Sequence, residues 1–387
     1  DVYAVPEGTI VYPNTPLVTV VAPLIEAQLI ETMLLLTINH QSLIATKANR
    51  IVRAAGDAQV MEFGARRAQG ADAAIYGARA CYIGGVGATA TTIAEEMFGV
   101  KAVGTMAHSF IQFYEDEYEA FKAYAEVYPD ECTLLIDTYN VLESGVKNAI
   151  RVAKEVLEPN GHRLKGVRID SGDLAYLTKK ARKMLDEAGC EDCKIVVSNS
   201  IDEYLITSLN EQGAKIDSYG VGERMITAKS EPVFGGVYKL AAVEDENGNY
   251  IPRIKISENI EKITNPGFKK LWRIYDRETG YGIADVITMA DEKIDDNEPY
   301  PYMDEIKPWK KRKFVNFRSE ELQKQIFKGG ELVYELPTLN EIREKVKKQL
   351  ATSVWAEEQR FDNPHSHYVD LSVKLYNIKQ DLLAKLS

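Results

Sequence analysis

The pattern of apolar and polar positions changes character along the chain. Near the start, short β-branched runs alternate with turn residues. Thr9-Ile10-Val11-Tyr12 lies between Pro6-Glu7-Gly8 and Pro13-Asn14-Thr15-Pro16, and Leu17 to Val21 is closed by Pro23. Runs of this kind, bounded by Pro and Gly, predict strands. From Ile25 to about Ala55 apolar residues recur at helical spacing, which predicts one long helix. Between about Val60 and Leu240 a short apolar run, a polar loop and an amphipathic helix repeat. The runs are residues 59–63, 101–105, 132–136, 164–169, 194–197 and 216–219. The clearest helices are expected over Val146 to Glu158, Asp173 to Ala188 and Asp202 to Glu211. Beyond Leu240 the chain turns polar. A hairpin is expected around Glu244 to Asn249, an acidic surface loop over Asp291 to Pro308, and a final helix over about Leu339 to Glu357.

Strands alternating with helices imply βαβ units and a parallel sheet, so the fold class is α/β. A repeat of about 30 residues suits a (β/α) barrel. Almost every predicted strand ends in Arg, His, Asp, Asn or a Gly-rich turn. In a barrel those ends share one rim, and the rim carries the active site. Helix capping explains some of the Asp and Asn residues. It does not explain Arg66, His108 and Arg168, because cations are unfavourable near a helix N-terminus.

Composition narrows the functional classes. The chain has 387 residues, with 47 Lys+Arg against 58 Asp+Glu and a net charge of −11. That acidity argues against a general nucleic-acid binder, yet leaves room for a locally basic pocket. Apolar residues make up 45% and charged residues 27%, which are ordinary globular values. No apolar run approaches the roughly 18 residues that span a bilayer, so no membrane partner is expected. Cys81, Cys132, Cys190 and Cys193 are too few for a disulfide framework, and the Cys190/Cys193 pair lacks a second pair to complete a zinc site. Reduced, structural cysteines in a cytoplasmic protein are expected. His365-Ser366-His367 offers only two ligands, and Tyr114, Tyr118, Tyr124 and Tyr128 read as a solvated helix face.

Several segments carry chemistry. Gly220-Val221-Gly222 and Gly235-Gly236, with Lys239 behind, let backbone N–H groups approach a phosphate. They match neither a Walker motif nor a dinucleotide fingerprint, and turn glycines remain the plain alternative. Gly84-Gly85 and Gly87 are equally ambiguous. Arg168-Ile169-Asp170-Ser171-Gly172-Asp173 is more specific. Arg168 suits bidentate recognition of a carboxylate or phosphate. Asp170 suits a magnesium-bound substrate or a developing positive charge, whereas Asp173 is a natural helix cap. His108 can serve as acid, base or nucleophile near neutral pH.

Taken together, these segments resemble the nicotinate phosphoribosyltransferase family. The matching pieces are Glu62-Phe63-Gly64-Ala65-Arg66-Arg67-Ala68-Gln69-Gly70, Gly104-Thr105-Met106-Ala107-His108-Ser109, Ile136-Asp137-Thr138-Tyr139 and Gly166 to Asp173. Ser198-Asn199, Gly220-Val221-Gly222, Phe234 to Lys239 and Lys262 to Gly267 follow in the family's order. The resemblance implies an irregular (β/α) barrel of the type II phosphoribosyltransferase kind, with a smaller β-rich domain built from non-contiguous segments. Residues 1–24 and 241–387 would form the latter with the C-terminal helices, and residues 25–240 the helical entry and barrel. It implies that nicotinate is joined to phosphoribosyl pyrophosphate (PRPP), giving nicotinate mononucleotide and pyrophosphate with ATP hydrolysed alongside, a step of NAD salvage.

By the same resemblance His108 is the phosphorylated histidine and Arg168 faces the nicotinate carboxylate. Arg66 grips the pyrophosphate or the edge of the pyridine ring. Asp137 and Asp170 hold the ribose or its magnesium, and Thr105 and Ser109 contact substrate beside His108. Asn199, Gly220, Gly222, Gly235 and Gly236 line the 5′-phosphate pocket. Mg2+ is expected with PRPP and ATP, and a homodimer with the active site near its interface. A nicotinamide-using relative and a non-catalytic nucleotide-binding barrel are the alternatives. Two departures stand out. Glu223 occupies a position where many relatives carry Thr. The chain also opens inside the family's second segment, so a portion with a Tyr reaching across the dimer to the nicotinate ring is expected to lie outside this sequence.

Overall fold

The computed structural model describes residues 1–258, 263–305 and 307–386. The chain divides into two units, one of residues 37–235 and one of residues 1–36 with 236–387. The long helix Glu31–Ala55 starts in the second and continues into the first.

The unit of residues 37–235 is built on a six-stranded parallel sheet. Its order is Ala88–Thr89, Gln59–Glu62, Ser218–Val221, Lys194–Ser198, Gly166–Ile169 and Thr133–Leu135. Val167, Ile169, Ile195, Val197 and Val221 are fully buried. Such near-continuous burial is expected where helices cover both faces of a parallel sheet. Asp173 caps the helix Leu174–Glu187 by accepting from Tyr176 N–H, and Asp202 caps Glu203–Glu211 through Leu205 N–H. The buried Glu203 carboxylate takes Lys47 at 2.7 Å and Arg50 at 2.8 Å, tying the Glu31–Ala55 helix to its own.

Several expectations are corrected here. Residues 101–105 form no strand. Only Ala102 bridges Thr89, because backbone bonds from Thr89 N–H to Lys101 and from Val103 N–H to Thr89 fasten the segment at one point. The edge strand is instead Ala88–Thr89, just past the ambiguous Gly84-Gly85-Val86-Gly87 stretch. Gly220 and Val221 lie inside the last strand rather than after it, with Gly220 opposite both Met61 and Ser198. The helix expected over Ile25 to Ala55 breaks at Ile30 into Leu24–Leu29 and Glu31–Ala55. The Val146–Glu158 helix begins early and uneven, with wide turns over Val141–Gly145 and Ala153–Leu157 around Val146–Val152. Gly145 permits this, since an added Cβ would stand 1.9 Å from the Ile136 carbonyl oxygen.

The other unit carries a mixed six-stranded sheet of order Lys311–Phe314, Tyr300–Met303, Val369–Ser372, Gly282–Met289, Lys269–Asp276 and Phe317–Glu321. A four-stranded sheet pairs the N-terminal strand Val2–Ala4 with Val18–Val20 on one side and Lys324–Lys328 on the other. Distant segments thus meet in one unit. The expected hairpin is present as Ala242–Glu244 against Tyr250–Pro252. Thr9 to Tyr12 forms no strand, and Tyr300–Met303 lies inside the segment expected as an acidic loop; Ile306 of that segment falls outside the described residues. The helix Leu339–Thr352 opens on a Thr338/Glu341 capping box and stops short of Glu357. A further helix, Val373–Leu386, follows the strand Val369–Ser372.

A closed ionic cluster lies inside this unit. Arg273 donates to both Asp285 oxygens at 2.8 Å. His367 places Nδ1 2.9 Å from Glu358 and Nε2 3.4 Å from Asp285. Tyr12 stacks on the His367 ring with centroids 3.6 Å apart and donates its hydroxyl to Glu358 at 2.8 Å.

Candidate active site

The parallel strands deliver their C-terminal ends to one edge, and the polar residues predicted there converge. Arg168 lies in the strand Gly166–Ile169. Its Nε donates to Ser198 Oγ at 2.9 Å, Nη1 to Thr105 Oγ1 at 3.0 Å and Nη2 to Asp170 Oδ1 at 3.0 Å. A guanidinium has five N–H donors. These three bonds use one N–H on each nitrogen, so one N–H on Nη1 and one on Nη2 remain without a partner among the described residues. The guanidinium carbon also stands 5.4 Å from the centroid of the Phe63 ring.

Asp170 Oδ1 additionally accepts the Ser198 hydroxyl. Asp137 Oδ2 accepts Asp170 N–H at 3.0 Å and Ser171 O–H at 2.6 Å. Asp137 Oδ1 is buried and has no hydrogen-bond partner. A buried carboxylate oxygen without a donor is costly, and at a strand end it marks a place for a donor or cation from outside the chain. His108 opens the short helix His108–Phe113, with Nδ1 3.0 Å from Thr138 Oγ1. Thr138 follows Asp137, and Thr105 joins the His108 loop to Arg168. His108, Thr138, Asp137, Asp170, Ser198, Arg168 and Thr105 therefore form one connected set.

Other predicted residues stand apart. Arg66, in the turn Ala65–Arg67, is exposed and makes no hydrogen bond or ion pair among the described residues; Ser109 is also exposed. Asn199 adopts a left-handed backbone (φ 82°), and so does Ser200 (φ 53°). Its side chain accepts only Ser200 Oγ, at 3.2 Å. Two consecutive non-glycine residues in that region store strain, which concentrates at functional sites. Gly220 and Gly222 have a packing reason of their own: an added Cβ would stand 2.5 Å from the Phe63 ring at Gly220 and 3.1 Å from the Phe63 carbonyl oxygen at Gly222. Gly235 is exposed and ends its unit, while Gly236 and Lys239 belong to the other. Lys239 Nζ bonds the neighbouring Tyr238 carbonyl at 2.8 Å. Glu223 is exposed and pairs with Lys229 at 3.0 Å, which holds its carboxyl below the usual range. Of the Lys262 to Gly267 segment, Lys262 lies outside the described residues.

Cys190 and Cys193 are buried and free, and burial pushes the Cys193 thiol up to about 12. Among the described residues no three His, Cys, Asp or Glu side chains group to hold a metal ion. No helix of the described residues is long and apolar enough to cross a membrane. Ser198, Thr138, Phe63 and Glu62 were not singled out as site residues from the sequence. Glu62 left one signal: it shares the buried face of its strand with Val60, where an apolar residue is expected.

The profile of the nicotinate phosphoribosyltransferase (NAPRTase) family matches residues 58–276, and that of the nicotinate phosphoribosyltransferase C-terminal domain matches residues 268–379. The chain belongs to the nicotinate phosphoribosyltransferase family. It is 46% identical to a nicotinate phosphoribosyltransferase of Bacillus subtilis over 379 residues, covering 97% of this chain and 76% of the relative. It is 36% identical to that of Caenorhabditis elegans, covering 98% and 76%. The crystal structure of human nicotinic acid phosphoribosyltransferase superposes with a TM-score of 0.87 at 29% identity, covering 98% of this chain and 82% of that one. A nicotinate-nucleotide pyrophosphorylase from Pyrococcus furiosus superposes with a TM-score of 0.69 at 29% identity, covering 91% and 80%. For a nicotinate phosphoribosyltransferase, spare cationic donors beside two carboxylates are the expected kind of equipment.

Proposed function

We propose that the chain joins nicotinate to PRPP, forming nicotinate mononucleotide and releasing pyrophosphate, with ATP hydrolysed alongside. The observation that carries the reading is the pair of donors left on Arg168. Two spare guanidinium N–H donors suit a carboxylate, which nicotinate has and nicotinamide lacks. The pyridine nitrogen attacks the anomeric carbon as the bond to pyrophosphate breaks. Positive charge builds on the ribose ring, and the Asp137 and Asp170 carboxylates are assigned to stabilise it. Arg66, with no partner among the described residues, is assigned to the departing pyrophosphate.

The unpartnered Asp137 oxygen fits a cation, but the described residues gather no full ligand set, so Mg2+ would come on the substrate phosphates with Asp137 and Asp170 as its protein partners. It would supply charge neutralisation of the leaving group. Asn199, Gly220, Gly222 and Gly235 are assigned to the 5′-phosphate, with Gly220 also required by the Phe63 ring. His108 is assigned as the phosphate acceptor: its nitrogen bonds the ATP γ-phosphorus while the bond to ADP breaks. Nδ1 lies against Thr138, which leaves Nε2 for that role. The phosphoenzyme would act by binding PRPP in preference to product, since a coupled ligand must favour one state.

The six parallel strands are assigned to an irregular (β/α) barrel, with residues 1–24 and 241–387 as the β-rich domain and C-terminal helices. A cytoplasmic homodimer completes the reading. Ile25 and Leu29 on the helix Leu24–Leu29 and Leu36 on Glu31–Ala55 are exposed apolar residues that a second copy would cover. The test is product formation from nicotinate or nicotinamide with PRPP and Mg2+, with and without ATP. Nicotinate mononucleotide and pyrophosphate in equal amounts are expected, faster with ATP. Binding of PRPP without pyrophosphate release would contradict the reading. His108→Ala should abolish the ATP stimulation while slow ATP-independent transfer persists.

A further inference from the structure

Glu62 is fully buried at the end of the strand Gln59–Glu62, and it has no cationic partner among the described residues. Its carboxylate is held by neutral donors instead. Oε1 accepts the Gly64 N–H, and Oε2 accepts the hydroxyls of Thr89 at 2.6 Å and Thr91 at 3.1 Å. Thr91 N–H in turn donates to Thr89 Oγ1 at 2.9 Å. A buried carboxyl group is tolerated in such a place only when it is hydrogen-bonded.

What Glu62 holds is the turn that follows it. Gly64 is gripped on both sides of its own residue: its N–H by Glu62, and its carbonyl by the Arg67 N–H at 2.8 Å. Opposite Glu62 the turn meets a wall. A Cβ on Gly64 would stand 2.6 Å from Ile226 and 2.8 Å from the Gly222 carbonyl oxygen. Phe63 N–H is bonded to Val221 at 2.8 Å. The turn is thus clamped between the Gly220–Ile226 segment and one carboxylate, and it presents Arg66 and Arg67, both exposed, beyond the clamp.

We propose that Glu62 is a positioning residue whose buried carboxylate fixes the Phe63–Arg67 turn and so sets the affinity of Arg66 and Arg67 for the pyrophosphate end of PRPP. The proposal rests on the assignment of that turn to pyrophosphate. It carries a counter-intuitive sign. Removing a negative charge near an anion site should by electrostatics alone tighten anion binding. If Glu62 works by holding the turn, Glu62→Gln weakens binding instead, because the flexible turn must be ordered by the ligand.

The test is calorimetric titration of inorganic pyrophosphate, with Mg2+, into the wild-type chain, Glu62→Gln, the Arg66→Ala/Arg67→Ala double variant and the triple variant. Glu62→Gln is expected to weaken binding about 10-fold, and to change it less than about twofold once both arginines are gone. Unchanged or tighter binding in Glu62→Gln, or equal weakening in both backgrounds, would overturn the proposal. Should Glu62→Gln fail to fold, Thr91→Val and Thr91→Ser give the same answer. Val should weaken pyrophosphate only when the arginines are present, and Ser should restore it; equal behaviour of the two would overturn the proposal. Because the readout is binding, a wild-type chain that makes no nicotinate mononucleotide would defeat the functional reading and leave this result standing.

Discussion

The chain contains two clusters of Arg, Asp and His that differ in one respect. Around Arg273 the charged groups are buried and paired with one another. Arg273 and Asp285 are 4% and 0% exposed, the guanidinium is bidentate on the carboxylate, and Tyr12 and Glu358 seal His367. Around Arg168 the same residue types are left incomplete. Arg168 and Asp170 are 18% and 29% exposed, two N–H donors remain, and Asp137 keeps a buried oxygen without a partner. A buried cluster whose charges pair with one another holds a fold together; a partly exposed one with donors to spare holds a place for a ligand. Residue identity alone does not separate them.

The largest expected contrast comes from removing each arginine. Arg273→Ala strands a buried carboxylate and should cost about 3–5 kcal/mol of stability in denaturant unfolding. Arg168→Ala should cost far less stability. Its effect should fall on substrate, weakening nicotinate by about 2–4 kcal/mol in titrations while PRPP changes little. If the two variants lose stability alike, the contrast between closed and open clusters fails.

A smaller effect separates the clusters by pH. Burial works against the charged form of His367, but hydrogen bonds to Asp285 and Glu358 outweigh it and raise its pKa above the ordinary value near 6.5. A histidine raised in the fold gives full stability below its unfolded pKa, and that stability is lost as pH rises through the folded value. Asp285 moves the other way: burial pushes it up, yet Arg273 and His367 hold it below the usual carboxylate range, so its contribution is lost only in acid. Unfolding free energy should therefore fall as pH rises above about 6.5, and His367→Gln should flatten that slope. The smallest effect sharpens the open cluster's boundary. Asp173 lies three residues from Asp170 but serves the helix, so Asp173→Ala should cost about 1 kcal/mol of stability and leave the nicotinate KM unchanged.

The open cluster was legible in the sequence because its members gather in or just past apolar runs: Arg168 within one, Asp170 and Asp137 directly after, and His108 past a run that forms no strand. Gly220 was misplaced for a physical reason. A glycine signals a turn in sequence, whereas here it lies within a strand because the Phe63 ring occupies its Cβ position. The roles of Ser198 and Glu62 depend on partners 28 and 27 residues away, Asp170 and Thr89, which local patterning does not show. The closed cluster was invisible, since Tyr12, Arg273, Glu358 and His367 meet only through tertiary packing. Lys379 interrupts the apolar pattern of the helix Val373–Leu386. That lysine is buried on the packed face and held by Asn265 at 3.0 Å and by Glu305, so it breaks the apolar stripe that would announce a helix.

The most direct test of the account is base discrimination by Arg168. The ratio of kcat/KM for nicotinate to that for nicotinamide should be measured in the wild-type chain and in Arg168→Ala. A site built to bond a carboxylate should prefer nicotinate by at least about 100-fold, and the variant should lose most of that preference. A preference that survives the loss of Arg168 would contradict the assignment of the open cluster to the nicotinate carboxylate.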